Sequence, residues 1–409
     1  MSRSISLGNA LIYSGEAVPK RMPAEWEPHA ATWLAWPHYH GDWPGKFEPI
    51  PWVYTEIVRN LSRHERVELI VNDAAAERRV RKLLTRADVA LGNVRFHRWP
   101  TNRVWLRDSG CIFVVGQTPG SAWPHSREPA LSLPKGRLSP QEDREGHDFS
   151  RADQDAKKIR ALAPAGSLLA NKFRFNAWAK YSNWRQDDKI GSLMASLAGV
   201  PEVRPLAHNI RVVLEGGSID VNGRGTLLTT EECLLSKTQE RNPGFTRQDY
   251  EEMFHNYLGI TKVLWLGNGI AGDDTHGHVD DLTRFVDPTT VVTIVEENPN
   301  DANYAPLQDN LQRLQFMTDQ DGKPLRVETL PMPAPVYFDG QRLPASYANF
   351  YIANKLVIVP TFNDPNDRVA LHTLAKLFPD RQMVGIHCRD LVLGLGTLHC
   401  MTQQQPAAR

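Results

Sequence analysis

Short apolar runs bounded by turn residues recur along the chain, and from about residue 22 onward they predict strands alternating with helices. "ATWLAWP", from Ala31, and "RVELIVND", from Arg66, read as buried strands. "DAAAERRVRKLLTR" follows as a helix with Val80, Leu83 and Leu84 at helical spacing. Three further stretches read as hairpins. "VLEGGSIDVNGRGTLLTT" turns at Asn222-Gly223, "LTRFVDPTTVVTIVEE" at Asp287-Pro288, and "NFYIANKLVIVPTF" at Ala353-Asn354. The helix "DPNDRVALHTLAKLFP" comes next. Polar or glycine motifs, "WLRDSG", "LEGGSID", "GHVDDLTRF" and "GLGTLHC", stand before apolar segments. This arrangement predicts a repeated ββαβ-like module whose strand ends converge on one place. The stretch from about Gln117 to Ser167, rich in Pro, Ser, Gly and charge, interrupts the pattern. It reads as a disordered or lid-like insertion, with a helix expected late in it.

Composition narrows the function classes. Forty-seven basic residues balance 47 acidic ones in 409, which gives no electrostatic reason to expect nucleic acid or an anionic membrane as partner. The densest basic run, "ERRVRKLLTR", is explained by one solvated helix face. No apolar run has the length of a membrane span, and the N-terminal stretch lacks the apolar core of a secretory signal. The four cysteines, 111, 233, 388 and 400, contain no C-x-x-C pair. A reducing cytoplasm is therefore the expected compartment.

Several motifs carry candidate chemistry. "GDDTHGHVDD" admits a metal reading, since Thr275 to Asp280 resembles the T-H-x-H-x-D-H signature of metallo-β-lactamase-like zinc hydrolases. Asp281, however, stands where that signature has His. Alternatively, an extended segment would point His276, His278 and Asp280 to one face, suited to proton transfer and to binding a cation. Asp108 beside Trp105 suits a planar cation, although for this motif alone internal pairing with Arg107 is the favoured reading. Glu215 ends an apolar strand before two glycines. Trp178, Tyr181 and Trp184 read as core or groove. Asp273 and Asp274 are candidate acids for an amine at the far end of a guanidine substrate, although a local turn-stabilising role is the simpler reading of each. Together the carboxylates, a histidine and a thiol answer the needs of guanidinium chemistry, in which carboxylates hold the nitrogens while a thiolate attacks the carbon. Cys400 lies behind a glycine turn that includes Gly396, which lets substrate approach the backbone. On an extended chain adjacent His399 would face away, leaving His278 as its partner.

"MPAEWEPHAATWLAWP", "WLRDSG", "LEGGSID", "GDDTHGHVDDLTRF", "NFYIAN", "FNDPNDRVAL" and "LHCMTQQQP" closely resemble, in order, the agmatine deiminases. These belong to the guanidine-modifying, pentein-fold superfamily, in a branch shared with bacterial peptidylarginine deiminases. The resemblance implies an α/β fold: a five-bladed propeller of ββαβ modules with pseudo-fivefold symmetry. It implies one catalytic domain over 22–407, after a tail at 1–21 and with an insertion at about 117–167. It implies Cys400 as nucleophile, His278 as general acid/base, and Asp108, Asp280 and Glu215 as active-site carboxylates. Trp105 and Gly396 would lie beside the substrate. The implied reaction converts agmatine to N-carbamoylputrescine without a cofactor, in a cytoplasmic homo-oligomer acting on a small guanidine. Leu395 and Thr397 depart from the family's glycine-rich pattern, which keeps other guanidines, peptidyl-arginine included, as alternatives. A guanidine-binding protein without catalysis would have no need of the thiol.

Overall fold

The computed structural model describes residues 11–12, 20–116 and 167–407. Apart from Ser167, the expected insertion and its late helix lie outside the described residues, as does most of the 1–21 tail. Five sheets among the described residues share one plan, in which two antiparallel strands are followed by a helix and a third strand parallel to the second. In the first, Gln403–Pro406 runs antiparallel to His29–Ala35, and Val67–Val71 and Val94–Arg98 add in parallel. The second joins Ile112–Gly116, Leu168–Asn171 and Glu202–Arg204, with two-residue strands at its edges. The third joins Asp220–Val221, Thr226–Thr230 and Lys262–Leu266. The fourth joins Thr283–Phe285, Thr290–Val295 and Arg326–Pro331. The fifth joins Tyr351–Ala353, Leu356–Thr361 and Gln382–His387.

Local chemistry accounts for these elements. The middle strands are buried on both faces almost throughout, threonines included. Asp73 caps the helix Ala74–Arg86 by accepting from the Ala76 amide, and Thr246 and Asp249 form a reciprocal cap on Arg247–Leu258. The turns at Asn222-Gly223 and Asp287-Pro288 fall where the pattern placed them. The third turn sits one residue later, at Asn354–Lys355, with Lys355 in the left-handed region. No helix among the described residues is long and apolar enough to cross a membrane.

A buried carboxylate ties the sheets together. Glu25 accepts from Arg107 (3.0 Å), Arg284 (2.9 Å) and the Ile352 amide (2.8 Å), and meets His399 Nε2 at 2.8 Å. Arg284 also donates to Asp220 at 2.5 Å and to the Phe350 carbonyl at 2.8 Å. Burial alone would raise the Glu25 pKa, but Arg284, His399 and Arg107 hold it well below the usual carboxylate range. Replacing Arg284 with Met keeps much of its volume but leaves Glu25 and Asp220 short of a counter-charge. The expected result in urea unfolding is a loss of about 3–5 kcal/mol, the usual consequence of breaking a buried pair from one side.

Candidate active site

The polar motifs ahead of the first strands supply one cluster, with a contribution from every sheet. Asp108 lies on the short helix Leu106–Ser109, and Glu215 precedes the turn Gly216–Ser218. His278 and Asp280 flank the start of the turn Val279–Asp281, Asn349 precedes Tyr351–Ala353, and Cys400 lies on the helix Leu398–Met401. All six are buried. His278 Nδ1 stands 4.0 Å from both Asp108 Oδ1 and Asp280 Oδ1, and its Nε2 stands 3.7 Å from Glu215 Oε2. The Cys400 thiol faces Asp280 Oδ2 at 3.6 Å and accepts from Asn349 Nδ2 at 3.1 Å. A Cβ on Gly217 would lie 2.5 Å from His278 Nδ1 and 3.0 Å from Asp108 Oδ1, so only glycine lets these groups approach.

Supporting contacts fix the carboxylates. Asp108 accepts from the Gly217 amide and the Trp178 indole, both at 2.9 Å. Ala177, Trp178 and Ala179 all sit in the left-handed region, a strained turn that aims the indole at Asp108. Arg241 holds Glu215 through contacts at 3.2 and 3.3 Å. His399 Nδ1 meets Asp280 Oδ2 at 2.7 Å, connecting the cluster to Glu25. Both ring nitrogens of His278 and Oδ1 of Asp280 take no hydrogen bond among the described residues. Nε2 is turned to Glu215 at 3.7 Å; buried polar atoms are normally satisfied, so His278 Nδ1 and Asp280 Oδ1 mark where a polar ligand would fit.

The electrostatics follow from burial and crowding of acids. Burial raises Asp108 to about 6, with His278 opposing and Asp280 and Glu215 adding to the rise. Burial alone would lower the His278 pKa, but Asp108 and its other neighbours hold it well above the ordinary histidine range. Burial also pushes the Cys400 thiol well above its usual value, and Asp280, Asp281 and Asp108 push it further. The free site therefore holds a protonated imidazole beside a neutral thiol.

A cavity of about 290 Å³ is lined by Cys400, Asp108, Trp105, Tyr181, Arg103 and Asp42, among others. Gly396 backs the Trp105 ring and the Cys400 side chain so closely that a Cβ there would lie 2.9 Å from the ring and 3.2 Å from the sulfur.

Three expectations need correction. His276 does not share a face with His278 and Asp280. It and Gly277 occupy the left-handed region and Val279–Asp281 is a helical turn, so His276 swings away to Ser236 at 3.1 Å and Glu232 at 3.5 Å. Arg107 does not pair with Asp108 but serves Glu25 and Gln404. His399 and Cys400 lie on a short helix rather than an extended strand, and both side chains reach Asp280 Oδ2, at 2.7 and 3.6 Å, so His399 is not turned away from the cluster as expected. Asp273 is turn-stabilising as expected, accepting from the amides of Thr275, Gly277 and His278, whereas Asp274 binds Lys180 and Tyr181 and lines the cavity. Sequence reasoning missed Glu25, Asn349, Trp178, Arg241 and the bridging role of His399. Glu25, Asn349 and Trp178 lie inside or beside recurrent motifs, but nothing local distinguishes them from packing residues. Among the described residues two sets could present metal ligands, Glu215–Cys233–His278 and Asp280–Asp281–Cys400, and neither is the spaced set of the zinc-hydrolase signature.

Comparison with known proteins places this geometry. Residues 21–406 match the family model of the Porphyromonas-type peptidyl-arginine deiminases. The chain is 31% identical to the agmatine deiminase of Pseudomonas syringae pv. tomato, over 94% of this chain and 95% of that one. In structure it resembles an agmatine deiminase of Enterococcus faecalis, with a TM-score of 0.79 and 30% identity over 98% of this chain and all of that one. The agmatine deiminase of C. jejuni gives 0.72 and 27%, over 97% and 98%. These matches overturn the zinc-hydrolase alternative.

The raised thiol pKa has a direct test in the rate of Cys400 alkylation by iodoacetamide against pH. The rate is expected to keep rising beyond about 8.5, the ordinary thiol value. Asp280→Asn removes a negative neighbour and should move the profile to lower pH. A plateau near neutrality in the wild type would contradict this account.

Proposed function

The chain belongs to the Porphyromonas-type peptidyl-arginine deiminase family, and from that footing we propose that it hydrolyses the guanidinium of agmatine to N-carbamoylputrescine and ammonia. The observation that carries the reading is the pair of unpartnered atoms His278 Nδ1 and Asp280 Oδ1, in a cluster of buried carboxylates whose Asp280 faces the Cys400 thiol. A guanidinium is planar and always protonated, and offers its N–H groups to two carboxylates at once. Asp108 and Asp280 hold it and aim its carbon at sulfur. Its charge offsets the acids that keep the thiol protonated, so substrate binding itself favours the thiolate.

Sulfur attacks the guanidinium carbon, and the carbon–nitrogen bond breaks as His278 gives a proton to the departing nitrogen. The proton shed by the thiol and the ammonia leave together as ammonium. A thiouronium remains on Cys400. Neutral His278, with Glu215 beside its Nε2, then takes a proton from water as the oxygen attacks that carbon. Collapse of the adduct breaks the carbon–sulfur bond, returns the thiol and releases the substituted urea. The same reading takes residues 22–407 as one catalytic domain, with the five sheets as blades around a central channel. It places the enzyme in the cytoplasm as a cofactor-free homo-oligomer.

The test is ureido-product formation from agmatine, arginine and an arginine peptide, for wild type and Cys400→Ala, with and without chelator. Turnover of agmatine that is indifferent to chelator and abolished by the substitution is expected. Turnover of the peptide alone would keep the chemistry and overturn the substrate. Activity that survives loss of the thiol would overturn the covalent route.

A further inference from the structure

The wall of the cavity also contains an ion pair that the chemistry at Cys400 does not use. Asp42, at the end of the short turn His40–Asp42, is buried and lines the cavity. Its Oδ1 pairs with Arg103 Nη1 at 3.2 Å, while its Oδ2 takes no hydrogen bond among the described residues. The Arg103 guanidinium lies 4.0 Å over the Tyr181 ring and its backbone is held by Asp187, while its Nε takes no hydrogen-bond partner among the described residues. Asp274, on the same wall, is engaged by Lys180 and by the Tyr181 hydroxyl at 2.5 Å. Acids therefore outnumber bases here, with Asp42, Asp187, Asp274 and the exposed Asp339 against Arg103 and Lys180. Asp42 is the buried one with an oxygen that takes no hydrogen bond among the described residues.

Trp105 spans the distance between the two ends. Its six-membered ring edge packs on Gly394 and Gly396 beside the Cys400 sulfur. Its indole N–H faces the Asp42 carboxyl. A substrate with its guanidinium carbon at sulfur and its alkyl chain along this ring would bring its far end to Asp42.

Resting on the agmatine reading, we infer that Asp42 is the specificity-determining residue that receives the far ammonium of the substrate through its open oxygen. Agmatine and other guanidines with a cationic tail are then preferred over tails of equal length without charge. The local charge supports this: burial raises Asp42 to about 7, Arg103 and the Trp105 indole oppose the rise, and Asp274 adds to it. An arriving cation relieves that strain.

The experiment compares agmatine with n-pentylguanidine, in which a methyl group replaces the ammonium, for wild type, Asp42→Asn and Asp274→Asn. Wild type is expected to prefer agmatine in kcat/KM. Asp42→Asn should reduce that preference ~10- to 100-fold, mainly through KM, the effect of losing one hydrogen bond to a charged group. Pentylguanidine turnover should be nearly unchanged, and Asp274→Asn should leave the preference largely intact. Equal loss on both substrates, an unchanged preference, or loss through Asp274→Asn instead would each overturn the inference. Wild-type turnover of pentylguanidine without preference overturns it while deimination stands; absence of agmatine turnover would defeat the agmatine reading itself.

A second measurement needs no variant. Asp42 gains its charge as pH rises through about 7, with Arg103, Asp274, Asp187, Trp105 and Tyr54 as its charged, titratable or hydrogen-bonding surroundings. The KM for agmatine should fall across that range relative to that for pentylguanidine, and parallel profiles would count against Asp42.

Discussion

Charge buried without water has to be balanced by charge, and in this protein that requirement converges on Glu25. Its carboxylate receives Arg107 from the second sheet's lead-in, Arg284 from the fourth sheet and the Ile352 amide from the fifth, and it meets His399 ahead of the strand that closes the first. The third sheet joins through Asp220, which shares Arg284. Remote parts of the chain are thereby committed to one geometry, because displacing any partner leaves an ion stranded in the interior. The reacting groups depend on the same network. His399 fixes Asp280 with one ring nitrogen and Glu25 with the other, so the carboxylate beside the thiol is oriented by the group that ties the sheets together.

The opposite imbalance prevails where the chemistry occurs. Asp108, Asp280, Asp281 and Glu215 crowd around His278 and Cys400, and Arg241 reaches only Glu215. The site is short of positive charge when empty, and a guanidinium supplies it in the shape these oxygens can bind. Tight binding and thiol activation then have one cause. The acid-rich cavity wall near Asp42 extends the same bias along the substrate.

Much of this was legible in the sequence because it was local. Turn residues at Asn222-Gly223 and Asp287-Pro288 placed the hairpins, and the polar motifs before apolar runs marked the strand ends that meet. Cys400, His278, Asp108, Asp280 and Glu215 were all visible as chemistry at such ends, and Trp105 and Gly396 as the surfaces beside them. What escaped depended on tertiary position or unusual backbone. Glu25 and His399 are 374 residues apart, so neither advertises the other. Trp178 reaches Asp108 through three successive left-handed residues that carry no glycine. His276 is lost to the cluster because the backbone turns at Gly277, where alternation along an extended strand would have kept it.

The central claim is that a bound guanidinium becomes covalently attached to Cys400. Intact mass of the enzyme, acid-quenched during turnover of agmatine, tests it most directly, with peptide mapping to locate the change. The account expects a species heavier by agmatine less ammonia, carried on the peptide containing Cys400 and absent from unreacted enzyme. Continued turnover with every quenched sample unmodified, or an adduct on another residue, would contradict it.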